Sequence, residues 1–234
     1  MNMDLSRFRR IARSAVTLAF LCGFDLYKFR IIMAVRRHSQ LNFYRLANTY
    51  DLAQRLRRSS VAGSFVECGV WRGGCVAIMA VIAASEKKGR MTWIFDSFEG
   101  MPEPTHEDGA VIDRMYGGRF KGLREGKLIP IGMNEATQDQ VEELLFTRLG
   151  LSRDSLAIRK GWFQNTVPLY KRDIGPIALL RIDSDWYAST KVCLETLYES
   201  VVSGGYIIID DYLFFEGCRK AVDEFLASAG VDAD

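Results

Sequence analysis

Through the first sixty positions apolar residues recur every three or four places and never alternate, with Leu41, Tyr44, Leu46, Tyr50, Leu52 and Leu56 forming the clearest stripe. That period predicts two or three helices, an N-terminal helical cap over residues 1–60. Past Ser64 the character changes. Short β-branched or apolar runs at 64–69, 91–96, 156–160, 178–183 and 205–210 alternate with helical stretches near 73–86, 134–149, 187–202 and 216–229. Such alternation predicts an α/β domain over 61–234: a doubly wound, mostly parallel sheet with right-handed crossovers and helices on both faces. One connection breaks the rhythm. Residues 97–133 are about 37 positions rich in Gly, Pro and charge, against about 4–6 for an ordinary connection, which predicts a lid.

A length of 234 residues, 48% hydrophobic and 26% charged, suits one packed domain and excludes disordered or fibrous classes. The net charge of +2 conceals an asymmetry, since residues 1–60 hold 12 Lys/Arg against 3 Asp/Glu. A basic arm of this kind docks on its own acidic body, a twofold partner, an anionic membrane or nucleic acid. Its aromatic and aliphatic content favours packing, so a homo-oligomer is expected, and no aromatic-plus-basic motif supports nucleic-acid binding. The apolar run 15–24 is about 10 residues, too short for stable membrane insertion. Five cysteines without a C-x-x-C pair suggest free thiols and a cytoplasmic location.

Three constellations carry chemistry. In Phe65-Val66-Glu67-Cys68-Gly69-Val70-Trp71-Arg72-Gly73-Gly74 a buried strand enters a glycine turn that opens a helix. Glycines let backbone approach a ligand, and the helix start offers free N–H groups. The spacing is not G-x-G-x-x-G and there is no Walker lysine, which disfavours a phosphate or nicotinamide site. Next, Asp96, with Ser97 beside it, ends the following strand, where it either accepts from both ribose hydroxyls or caps a turn. The missing diphosphate fingerprint favours a nucleoside without phosphate. Last, Arg181-Ile182-Asp183-Ser184-Asp185 and Ile209-Asp210-Asp211 end two apolar strands, so Asp183, Asp210 and Asp211 gather at neighbouring strand ends. At about 4 Å and an effective dielectric near 20, each carboxylate pair repels by about 4 kcal/mol. Such a cluster takes up a cation or protons, and oxygen ligands without His or Cys select Mg²⁺, with Mn²⁺ or Ca²⁺ as substitutes. The blander alternative makes these aspartates caps and turn residues, Asp185 above all as a cap for the helix starting near Tyr187.

Taken together, the blocks VECGVWRGG, WIFDSFEGMP, RKGWFQNTVP, LLRIDSDWYAST and GGYIIIDDY with CRKAVDEF resemble the cation-dependent sugar O-methyltransferases of antibiotic biosynthesis, typified by the macrocin, mycinamicin and novobiocin enzymes. The resemblance covers roughly residues 60–229. It implies a Rossmann-like, class I methyltransferase fold binding S-adenosylmethionine, with Glu67, Gly69, Val70, Trp71, Gly73 and Gly74 around its methionine part and Asp96 and Ser97 at the ribose. Lys160, Gly161 and Trp162 would line the adenine pocket, and Asp183, beside the donor, would hold Mg²⁺ with Asp210 and Asp211. Asp183 or Asp185 would be the base. Asp-Ser-Asp stands where the family more often has Asp-Gly-Asp, and both carboxylates remain.

The family also continues past the last helix with two further strands, whereas this sequence ends at Asp234. The 205–210 strand is therefore expected to be an edge unless the arm or a partner chain covers it. The expected activity is methylation of a small-molecule hydroxyl, best a vicinal diol that chelates the ion, with Tyr44, Tyr50 and the 101–124 stretch touching the acceptor. The alternative from another class is a truncated or non-catalytic binding protein on the same fold.

Overall fold

A computed structural model describes residues 25–86, 89–115 and 128–231. Two helices, α1 (Leu26–Val35) and α2 (Phe43–Arg58), lead into β1 (Ser64–Cys68), and α3 (Gly74–Ala84) then crosses to β2 (Thr92–Asp96). After β2 come a short α4 (Ala110–Met115) and α5 (Gln138–Glu142), the latter running on as a π-helical turn over Glu143–Arg148. The chain closes with β3 (Leu156–Lys160), α6 (Phe163–Ile174), β4 (Ile177–Ile182), α7 (Tyr187–Leu197), β5 (Val201–Ile209) and α8 (Glu216–Ala229).

All pairings are parallel and the strand order is β3-β2-β1-β4-β5. The order reverses between β1 and β4. In an open parallel sheet that reversal leaves a crevice beyond the strands' carboxyl ends, the usual place for a ligand. Alternate pleat positions separate two cores. Phe65, Ile94, Leu179 and Ile208 face α1, α2, α3 and the α5 region, while Val66, Phe95, Leu180 and Ile207 face α6, α7 and α8. The N-terminal helices thus share a core with the sheet: Ile32, Val35, Leu46, Ala53 and Leu56 are all within 1% of fully buried.

The expected architecture and its five strands are present, with differences that have local causes. Helix α6 falls in a stretch given no element above, because Gly161-Trp162 and Pro168 interrupt it visually. Its apolar Phe163, Val167, Tyr170 and Ile174 nonetheless keep helical spacing. Strand β5 begins at Val201, not 205, because Gly204, at φ +78°, sits in a register shift between Val201 and Tyr206. Helix α7 accordingly stops at Leu197. β5 is an edge of the described sheet. Residues 1–24, with the apolar run and Cys22, and 116–127 of the expected lid lie outside the described residues. Where described, both ends of the 97–133 segment pair with each other, Met101 and Met133 exchanging a bond of 2.9 Å and Pro102 bridging Pro130. No described helix is long and apolar enough to cross a membrane. The four cysteines among the described residues are free and buried.

Candidate active site

A cavity of about 510 Å³ opens at the reversal between β1 and β4. The glycine turn after β1 forms one wall, contributing Gly69, Val70, Trp71 and Gly74. Gly69 is obligatory there, since a Cβ would overlap the carbonyl of Asp183 on the neighbouring strand. Gly74 is needed too: a Cβ would lie 2.6 Å from the Ser39 Cβ and 2.7 Å from the His38 carbonyl. That contact lays residues 38–41 and Arg45 along the cavity, a contribution from the N-terminal region that no motif announced. Gly73, in left-handed conformation, caps α3 without a side chain and packs on Val141, outside the cavity lining.

Asp96 lies in the cavity lining, and its carboxylate binds the backbone of the turns around it. One carboxylate oxygen accepts from Val70 N at 2.8 Å and Trp71 N at 3.1 Å, and the other from Phe98 N at 2.8 Å. It therefore welds the glycine turn to β2. Ser97 also lines the cavity, its hydroxyl donating to the Gly100 carbonyl at 2.8 Å. Of Lys160, Gly161 and Trp162 only Trp162 reaches the cavity, joined by Phe163. Lys160 ends β3 facing solvent, and Gly161 is tied by its N–H to the Asp96 carbonyl at 2.9 Å.

The acidic groups sort by the pleat. Glu67, Arg181, Asp183 and Asp210 occupy one face at the carboxyl ends of β1, β4 and β5, because i and i+2 positions share a face and Arg181 is register partner to Glu67. Arg181, 1% exposed, donates from Nη1 to Glu67 at 2.6 Å and Asp183 at 2.8 Å, and its Nη2 lies 2.6 Å from Asp210. Arg45 holds Asp210 from the other side, with Nη2 3.2 Å from its carboxylate and also bonded to its carbonyl. Asp210 is thus engaged by two guanidinium groups. Carboxylate oxygens of Asp183, Asp185 and Asp211 lie instead within 4.8 Å of one another. The ion-ligand set expected from resemblance was Asp183, Asp210 and Asp211; the structure gathers Asp185 in the place of Asp210.

Nor does Asp185 cap α7. The N-cap position is Trp186, without a side-chain bond, and Asp185 sits before it at φ +57°. Burial, then neighbouring carboxylates, push Asp185 up to about 7 and Asp211 up to about 9. Burial likewise raises Glu67 to about 8 against the opposing pull of Arg181. Oε2 of Glu67 is buried with no hydrogen-bond partner.

The two tyrosines do not meet the cavity. Tyr50 is 2% exposed, its hydroxyl 3.2 Å from Asp25 and 2.9 Å from Gln54, which makes it a core residue. Tyr44 is 65% exposed and outside the lining. Met101, Ile112, Trp186 and Phe215 cluster as an apolar part of the same lining, with the Trp186 and Phe215 rings packed edge to face at 5.4 Å. Arg181 was passed over in the sequence, though a charge inside the otherwise apolar Ile177–Ile182 strand was the available signal.

The sequence profile described as macrocin O-methyltransferase (TylF) matches residues 36–234. The chain belongs to the macrocin O-methyltransferase family. As a member it is an S-adenosylmethionine-dependent O-methyltransferase. It is 33% identical to demethyldecarbamoylnovobiocin O-methyltransferase of Streptomyces niveus over 191 residues, covering 81% of this chain and 68% of that protein. It is 31% identical to mycinamicin III 3''-O-methyltransferase of Micromonospora griseorubida, covering 83% and 72%. The solved O-methyltransferase NovP superposes with a TM-score of 0.67 at 30% identity, covering 84% of this chain and 76% of NovP. The calicheamicin methyltransferase CalS11, at 19% identity and TM-score 0.63, shares the fold.

Proposed function

We propose that the protein transfers the methyl group of S-adenosylmethionine to one hydroxyl of a vicinal diol on a sugar or similar small natural product, with Mg²⁺ held at Asp183, Asp185 and Asp211. The observation that carries this is the convergence of those three carboxylates within 4.8 Å beside a cavity large enough for a nucleoside donor. The donor set fits a hard ion: it is all oxygen, and its buried like charges are raised toward protonation when no cation offsets them. The named substrates of the relatives, a novobiocin precursor and mycinamicin III, support a natural-product acceptor.

The chain's own groups have separable tasks in this scheme. The glycine turn and Asp96 hold the donor, Trp162 and Phe163 flank it, and the buried, unpartnered Oε2 of Glu67 is free to accept from the donor's ammonium. Bound Mg²⁺ would supply charge stabilisation for a developing alkoxide, worth several kcal/mol. Asp183 or Asp185 accepts the hydroxyl proton. The apolar wall of Met101, Ile112, Trp186 and Phe215 keeps water from the acceptor and aligns it with the methyl group. We further propose a cytoplasmic, homo-oligomeric enzyme that binds no nucleic acid and makes no stable membrane insertion.

The test is calorimetric titration of S-adenosylmethionine and then Mg²⁺, followed by incubation with isotopically labelled donor and candidate diols. Saturable uptake of both, and label on a diol oxygen, is expected. Donor binding without Mg²⁺ uptake would remove the ion from the scheme.

A further inference from the structure

Helix α7 starts directly after the Asp183-Ser184-Asp185-Trp186 loop, and its own N-cap supplies no side chain. The Tyr187 amide is taken instead by Asp108, 79 positions away, whose Oδ1 accepts from it at 2.7 Å. The other oxygen of Asp108 accepts from Thr105 N at 2.7 Å and from its hydroxyl at 3.3 Å, so the carboxylate, 2% exposed, is fully committed. Two glycines open the notch for it. A Cβ at Gly217 would overlap Asp108 and lie 3.0 Å from Tyr187 N, and one at Gly109 would overlap the Glu216 carboxylate. A second tie runs in parallel, with the Trp186 indole donating to the Pro102 carbonyl at 2.8 Å.

Asp185 lies just ahead of these ties at φ +57°, left-handed backbone for a residue with a Cβ. Such a conformation persists only where its surroundings over-determine it. The Asp185 amide itself makes only a long bond, donating to Asp211 at the end of β5 at 3.3 Å. Ser184 is held to Thr190 at 2.9 Å and Trp186 N donates to the Ser184 carbonyl at 2.6 Å, and from outside the loop the 102–108 segment grips both residues that follow Asp185.

We infer that Asp108 is a positioning residue for methyl transfer, fixing the 183–186 loop so that Asp185 stands with Asp183 and Asp211. It touches neither cavity nor reacting atoms and acts through the Tyr187 amide. The ion-binding arm of the test rests on the proposed Mg²⁺ site; the exchange arm does not.

The experiment compares wild type, Asp108→Ala, Asp108→Asn and, as a control, Thr105→Val, which removes the Thr105 hydroxyl's contacts to Asp108 and Glu107 and leaves the bond from Tyr187 N to Asp108 in place. Amide exchange across 183–187, Mg²⁺ affinity and S-adenosylhomocysteine affinity are measured by mass spectrometry and calorimetry. In Asp108→Ala, exchange in that peptide should rise at least tenfold and Mg²⁺ affinity fall at least tenfold, with S-adenosylhomocysteine affinity within twofold. Asp108→Asn, which keeps one acceptor oxygen and is the variant to rely on if the alanine protein does not fold, should shift both in the same direction. Thr105→Val should stay within twofold of wild type. Unchanged exchange at 183–187, or S-adenosylhomocysteine affinity lost in parallel with melting temperature, overturns the assignment. Should wild type itself take up no Mg²⁺, the proposed ion site fails and the exchange result alone decides on Asp108.

Discussion

Arg181 and Glu67 face each other across adjacent parallel strands, register partners with 2.6 Å between Nη1 and Oε1, each 1% exposed. The same guanidinium touches Asp183 and Asp210, so one cation joins the ends of β1, β4 and β5 beneath the cavity. A buried charge stripped of its partner costs about 3–5 kcal/mol, whereas removing both partners together costs far less. Arg181→Met should therefore destabilise by at least about 3 kcal/mol, and Arg181→Met with Glu67→Gln by less than the two single changes combined. Urea unfolding of the four proteins measures this, and a single Arg181→Met within about 1 kcal/mol of wild type would sink it.

The division of the aspartates into a trio and an ion-paired fourth has a direct consequence. Asp185→Asn and Asp211→Asn should each weaken Mg²⁺ binding by about tenfold or more, on the scale of about 1.4 kcal/mol per decade. Asp210→Asn should weaken it less and lower stability more, because it leaves Arg181 and Arg45 without their shared partner. Calorimetry alongside thermal unfolding distinguishes the two patterns. Equal loss of Mg²⁺ affinity in all three variants contradicts the division.

Stability should depend on pH with a definite sign. Glu67, Asp185 and Asp211 are raised to about 8, 7 and 9, so the folded protein holds protons that the unfolded chain, near pH 4 for ordinary carboxyls, has released. Their contribution is complete below about pH 4 and disappears as pH climbs through the folded values. In chelator, the melting temperature attributable to these groups should fall between about pH 5 and pH 9. Saturating Mg²⁺ should flatten or reverse that slope, since ion binding favours the ionised carboxylates. A metal-free melting temperature that climbs steadily across this window would be the contrary result.

Glycines that share positive φ differ in what surrounds them. A Cβ at Gly69 overlaps the Asp183 carbonyl, while at Gly89 nothing lies within 4 Å. Gly89→Ala should cost only the left-handed strain, about 1 kcal/mol, and leave S-adenosylhomocysteine binding intact. Gly69→Ala must separate β1 from β4 and should abolish that binding. Thermal shift with and without the ligand reports both, and a Gly69→Ala protein that binds normally would contradict the close strand approach.

Much of this protein was legible in the sequence. The strand-and-helix alternation, the glycine turn after β1, and the acids at the ends of β2, β4 and β5 each follow from local pattern, because apolar period and turn chemistry are properties of a few neighbouring residues. Residues far apart in sequence were another matter. Asp210 and Asp211 look equivalent in Ile209-Asp210-Asp211, yet the pleat sends Asp210 to the face of Arg181 while Asp211 joins Asp185. Register between β1 and β4 set Glu67 against Arg181, and packing against Gly74 laid residues 38–41 over the glycine turn. Of the two tyrosines on one helical stripe, Tyr50 proved to be core while Tyr44 stands exposed. Asp108 met the start of α7 because Gly217, on α8, left room for its carboxylate, and Gly109, next to it, left room for Glu216. Local chemistry dictates which elements form. Which side chains share a space depends on strand register and close packing, and those are settled by the folded chain as a whole.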